Sequence, residues 1–69
     1  MGLSNTLKIQ RAKLGINQSE LSEMVGVSRQ TISLIERGDY NPSITLVLKL
    51  TKALGVKTEE LFLYEEDEQ

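Results

Sequence analysis

The sequence predicts an all-α domain of five short helices. Three observations lead there: apolar residues recur at helical spacing, side chains that cap helix N-termini stand ahead of the stripes, and glycines close four of them, at Gly15, Gly26, Gly38 and Gly55. Size points the same way. A chain of 69 residues buries only about 60% of the surface its unfolded form exposes, so it needs well-packed helices or stability gained by association.

Asn5 or Ser4 can cap a first helix running through Leu7, Ile9, Ala12 and Leu14, with Gly15 as its stop. Asn17 followed three residues later by Glu20 reads as a capping box, opening a second helix with Leu21, Met24 and Val25 at helical spacing. Ser28 caps a third, whose Ile32 and Ile35 share one stripe and which ends at Gly38. Asp39, Tyr40, Asn41 and Pro42 form a polar loop, since Pro cannot sit inside a helix and Asn and Asp favour turns. Ser43 starts the fourth and longest helix, for which positions 44, 47, 48, 50 and 54 are the expected buried stripe and Leu46 lies off it. Thr58 is the expected cap of a fifth, through Glu59 to Leu63, with two carboxylates in its first turn to complement the helix dipole. No internal repeat, linker or second domain is visible.

Composition excludes several functions. The chain has no His and no Cys, so it offers no thiolate nucleophile, no imidazole base and no ligands for zinc, haem or iron–sulfur clusters. Paired catalytic carboxylates and a phosphate-cradling glycine loop are also missing, so an enzyme is not expected, nor a metal or cofactor. The apolar runs around 46–48 and 61–63 fall far short of the roughly 20 residues that span a bilayer, and no basic-then-apolar leader opens the chain. A soluble cytoplasmic protein with no membrane partner is expected.

The net charge of −2 argues against a nucleic-acid partner only until it is mapped. Residues 1–58 hold all eight basic residues and four acidic ones, a net +4, while residues 59–69 hold six acids and no base. The body is basic and the deficit belongs to the C-terminal segment, which keeps a small protein soluble.

The window Gln18–Arg37 carries the most specific signal. Its fourth, eighth, tenth, fifteenth and eighteenth residues are Leu21, Val25, Val27, Ile32 and Ile35, all aliphatic. Two helices crossing steeply through a tight turn need inward apolar residues there, a small residue at the fifth, Ser22, and one tolerant of positive φ at the ninth, Gly26.

With NQSELSEMVGVSRQTISLIERG, the Asn41-Pro42-Ser43 step, LKLTKALGV and the closing EELF, the sequence resembles the Cro and lambda-repressor-like (XRE-type) helix-turn-helix regulators over roughly residues 7–62. The resemblance implies a five-helix lambda-repressor-like DNA-binding domain, with its helix-turn-helix motif at 18–37. It implies sequence-specific binding of double-stranded DNA as a homodimer, usually to repress transcription. Length and acidic end are similar to minimal repressors of the cytolysin-repressor type, in which short strand-like ends flank the helices.

The third helix is then expected in the major groove. Ser28, Arg29, Gln30, Ser33, Leu34 and Arg37 face outward if Ile32 and Ile35 face the core. Arg29 and Gln30 suit guanine and adenine edges respectively; Ser33 and Leu34 complete the base-reading set, Leu34 either against a thymine methyl group or as a surface leucine. Asn17 and Gln18, with free N–H groups at a helix N-terminus, form an expected phosphate clamp. Ser28 is a cap that can also touch phosphate. The resemblance places Arg37, Tyr40 and Asn41 against the backbone on the other side, with Asp39 opposing them. It also pairs Arg11 in the first helix with Glu36 near the end of the third, as a structural ion pair.

A dimer needs a self-complementary apolar patch, and Leu46, Phe62, Leu63 and Tyr64 are the expected candidates, joined by Leu3 if the ends pair as strands. Phe62 also fits as a cap on the core. Met24 is read as a surface residue or interface edge. The alternative to a simple repressor is a controller or antitoxin-like protein that also holds a protein partner through its acidic segment 63–69 or helix four. A protein-interaction module without DNA activity is the alternative of another class.

Overall fold

Local signals at the helix ends decide most of the architecture of the computed structural model, which describes residues 2–65. The order is β1 (Gly2–Asn5), α1 (Leu7–Lys13), α2 (Gln18–Val25), α3 (Arg29–Arg37), α4 (Ile44–Leu54), α5 (Thr58–Leu61) and β2 (Phe62–Glu65). Five helices with short strands at the ends are the architecture the sequence predicts. Side-chain oxygens of Asn17, Ser28 and Ser43 accept from the N–H groups of Glu20, Thr31 and Leu46 respectively, so three helices begin where their capping residues stand. Glu20 returns the favour at α2, its carboxylate taking the Asn17 N–H at 2.8 Å.

The other two helix starts differ from expectation. Thr6 occupies the N-cap position of α1 and makes no side-chain cap bond; Ser4 and Asn5 belong to β1, and the side-chain oxygen of Asn5 accepts from the Leu7 N–H at 3.0 Å. At α5, Lys57 stands at the N-cap and Thr58 is already helical. The Glu60 carboxylate there accepts the Lys57 N–H at 2.8 Å.

The two strands pair antiparallel, Leu3 opposite Tyr64, Ser4 opposite Leu63 and Asn5 opposite Phe62. Thr6 continues the tie, its N–H donating to the Leu61 carbonyl at 2.9 Å and its hydroxyl to the Glu60 carbonyl at 2.8 Å. The strand pair thus joins the two ends of the described chain. Glu66, Asp67 and Glu68 of the acidic segment lie outside the described residues.

One core joins Leu7, Leu21, Val25, Ile32, Ile35, Leu46, Val47, Leu50, Leu54, Leu61 and Phe62. In α1 only Leu7 is buried, while Ile9, Ala12 and Leu14 are exposed. One expectation, the phase of α4, is corrected here. In α4 the phase is shifted: Leu46 is 7% exposed and faces the core, whereas Ile44 and Leu48 are 70% and 56% exposed. Residues 46, 47, 50 and 54 follow a single helical stripe, and α2 and α5 pack against this helix. No helix among the described residues is long and apolar enough to cross a membrane.

Candidate nucleic-acid interface

The α2–α3 step is built from small, local requirements. Gly26 adopts φ 76°, ψ 32°, and its N–H and that of Val27 both return to the Ser22 carbonyl, at 2.9 and 3.1 Å. A residue with a Cβ is strained in this left-handed conformation, so glycine lets the chain leave α2 and reach Ser28, the N-cap of α3, two residues later. Ser22 is buried, and its hydroxyl donates to the Ser19 carbonyl at 2.7 Å, which satisfies its polar atom.

Ile32 and Ile35 anchor α3 in the core at 0% and 1% exposure. Arg29 and Gln30, in the first turn, are exposed and make no side-chain hydrogen bond or ion pair among the described residues. Gln30, Ser33, Leu34 and Arg37 stand at the i, i+3, i+4, i+7 spacing of one helix face, the outer two exposed and Ser33 and Leu34 half-buried. Such a ridge, polar except for Leu34 and opposite an anchored apolar stripe, can enter a groove without disturbing the core. Ser28 caps the helix, its hydroxyl accepting from the Thr31 N–H at 3.1 Å and sharing a hydrogen bond with the Thr31 hydroxyl at 3.0 Å.

At α2 the amide ends differ from expectation in one respect. The Asn17 N–H is committed to Glu20, and the Asn17 side-chain oxygen to the Glu20 N–H at 2.7 Å. The N–H groups of Gln18 and Ser19 have no partner among the described residues and carry the positive end of the helix dipole. Beyond α3, Tyr40 and Asn41 are exposed, and Arg37 lies 3.5 Å from Asp39, both side chains 62% exposed. That surface pair is weak and screened by salt, so Arg37 is not immobilised by it.

The Arg11 guanidinium donates to both oxygens of Glu36, Nε to Oε2 at 2.8 Å and Nη2 to Oε1 at 3.3 Å, and Nη1 donates to the Ile16 carbonyl at 3.0 Å. This fixes α1 against α3. Sequence reasoning missed a third donor: the Gln18 side chain also donates to Glu36 Oε1, at 3.0 Å. It also missed Thr31 as the partner of Ser28. Spacing alone could not reveal the Gln18 contact, because Gln18 and Glu36 lie 18 positions apart. Of the expected dimer residues, Leu46 and Phe62 are core, at 7% and 8% exposure, while Leu63 and Tyr64 are exposed, at 52% and 63%, together with Leu3 on the paired strand. The fifth helix ends at Leu61 and β2 follows, so Phe62 turns inward as the cap on the core.

Two helices joined at a glycine turn, the second anchored inward by isoleucines and polar on its outer face, define a helix-turn-helix DNA-binding domain. The helix-turn-helix family pattern matches residues 7–61, and the chain belongs to that family, in its lambda-repressor-like, XRE-type branch. It is 48% identical over 66 residues to an uncharacterised HTH-type transcriptional regulator of Methanocaldococcus jannaschii, MJ0272, covering 96% of this chain and 100% of the relative. The P22 c2 repressor, solved in complex with a synthetic operator, superposes with TM-score 0.74 at 40% identity, over 77% of this chain and 80% of the repressor. The restriction-modification controller protein C.AhdI of Aeromonas hydrophila superposes with TM-score 0.73 at 33% identity, over 78% of this chain and 82% of the controller. The protein is a DNA-binding transcriptional regulator and not an enzyme.

Proposed function

We propose that this regulator is a cytoplasmic repressor that binds a two-fold operator as a homodimer, with α3 in the major groove. The observation that carries the reading is the exposed, unengaged pair Arg29 and Gln30 on the first turn of a helix locked inward by Ile32 and Ile35. Arg can donate two bonds to guanine O6 and N7, and Gln can pair with adenine N6 and N7. Ser33 and Leu34 flank them at the groove. The free N–H groups of Gln18 and Ser19, with Asn17, Ser28, Arg37, Tyr40 and Asn41, serve the phosphates. The likeness to a repressor solved on operator DNA supports both the groove and the direction of regulation. We take 18–37 as the helix-turn-helix motif within a DNA-binding domain of residues 7–62.

For the dimer, the burial of Leu46 and Phe62 moves the contact to the exposed side chains of the strand pair, Leu63, Tyr64 and Leu3. Shortening the chain at Leu61 would remove the core residue Phe62, so point changes are the cleaner test. Sedimentation of Leu63→Lys/Tyr64→Ser beside Leu48→Lys decides it: the strand variant should fall to monomer at tens of micromolar while the α4 variant stays dimeric. The reverse result moves the interface to α4. The DNA reading is tested by selecting bound sites from random duplexes, which should return a two-fold sequence; recovery of unrelated sequences overturns it.

A controller-type protein holding a protein partner is the second reading. It is favoured by the likeness to C.AhdI and by the exposed Met24, Ile44 and Leu48. Co-purification of one stoichiometric partner that releases on Leu48→Lys would support it.

A further inference from the structure

We propose that Gln18 is the joint between the phosphate clamp and the reading helix. Its backbone N–H serves the DNA backbone, while its side chain acts through Glu36 to set the orientation of α3. This rests on the DNA-binding reading above and assigns the Gln18 side chain a role other than phosphate contact.

Glu36 sits near the C-terminal end of α3, its side chain only 7% exposed. A carboxylate so nearly removed from water must be held by donors, and three converge on it from two other helices. Arg11 of α1 makes the short bond, to Oε2, at 2.8 Å. On Oε1 the better-placed donor is Gln18 Nε2 at 3.0 Å, with Arg11 Nη2 at 3.3 Å. Because the carboxylate only accepts, the Gln18 amide has to turn its nitrogen toward Glu36, which fixes the whole side chain. Gln18 is also the first residue of α2, where its N–H is free. One residue therefore carries a free anion donor on its main chain and a partly buried contact to α3 on its side chain. Arg11 holds α3 from the α1 side; among the described residues, Gln18 alone ties the start of α2 to the far end of α3 through a side-chain bond.

This arrangement makes a specific prediction about discrimination. A side chain that merely touched phosphate would add equally to binding of every duplex, since phosphates carry no sequence. A side chain that orients α3 should matter only where Arg29 and Gln30 meet their correct bases.

The test uses Gln18→Met, which keeps length and packing and removes the donor, with the whole chain in each assay. Affinity is measured for the selected operator and for an unrelated duplex of the same length, with and without Arg29→Ala. Thermal unfolding confirms that each variant is folded at the assay temperature. Gln18→Met should weaken operator binding about tenfold and unrelated duplex less than twofold. In the Arg29→Ala background its effect on the operator should shrink to less than threefold, because the base contact it orients is gone. Gln18→Asn, an amide one methylene short of Glu36, should behave as Gln18→Met. Equal losses on both duplexes, full additivity with Arg29→Ala, or no loss at all overturns the proposal. A wild-type chain with no preference for any duplex overturns the base-reading assignment itself, and this inference with it.

Discussion

The Asn5 side-chain amide donates to the Ile35 carbonyl oxygen at 2.9 Å across 30 positions of sequence, while its own oxygen takes the Leu7 N–H at 3.0 Å. One side chain thus ends β1, serves the first turn of α1 and secures the last turn of α3. Asn5→Ala should cost about 1–3 kcal/mol, because it strands partly buried partners on both sides. Urea unfolding of the two chains measures it, and a loss below about 0.5 kcal/mol would remove Asn5 from the supports of α3.

The phase of α4 makes a paired prediction. Leu46→Ala should destabilise by about 2–5 kcal/mol through lost burial and the cavity it leaves. Leu48→Ala, on the exposed face, should stay within about 0.5 kcal/mol. Equal losses in denaturant unfolding would mean that the helix is rotated from the position described.

At the groove, Arg29→Ala or Gln30→Ala should each cost about 1–3 kcal/mol on the preferred site and relax preference at one base pair per half-site. Thermal midpoints should hardly move, since both side chains point away from the core. Losses that are the same on every duplex would demote the two residues to phosphate contacts.

Ionic strength separates the basic body from the net charge of −2. A dimer neutralising about four to six phosphates should lose affinity with a log–log salt slope of roughly −4 to −5. Titrations at several salt concentrations read this directly, and a flat response is incompatible with the proposed interface.

How far these features could be read from the sequence depends on how local their causes are. The caps at Asn17, Ser28 and Ser43 and the glycine at the α2–α3 turn act within a few residues, so the sequence shows them plainly. The phase of α4 is different. Seven of its eleven residues, Ile44, Leu46, Val47, Leu48, Leu50, Ala53 and Leu54, are apolar, so two stripes fit three turns equally well. Only packing against α2 and α5 decides between Leu46 and Leu48. The first cap misled for a similar reason: Asn5 has cap chemistry, but strand pairing with Phe62 holds its backbone outside the helix. On α3, the outward exposure of Arg29 and Gln30 follows from the inward isoleucines alone. The Gln18–Glu36 contact joins side chains whose meeting depends on how α2 and α3 cross, which no local rule supplies.

The strand pair has a consequence for the order in which the molecule assembles. Joining residue 2 to residue 65 closes the whole described chain into a loop, the contact with the largest entropy of closure among the described residues. The α2–α3 unit, whose partners are neighbours in sequence, can form early, whereas the ladder gains its bonds only after the helices have brought the ends together. Amides within the ladder should therefore exchange with solvent through openings that leave the buried isoleucines of α3 in place. If the dimer forms on these strands, association would be linked to the last step of folding, and dilution would loosen the ends of the protein before its DNA-reading helix.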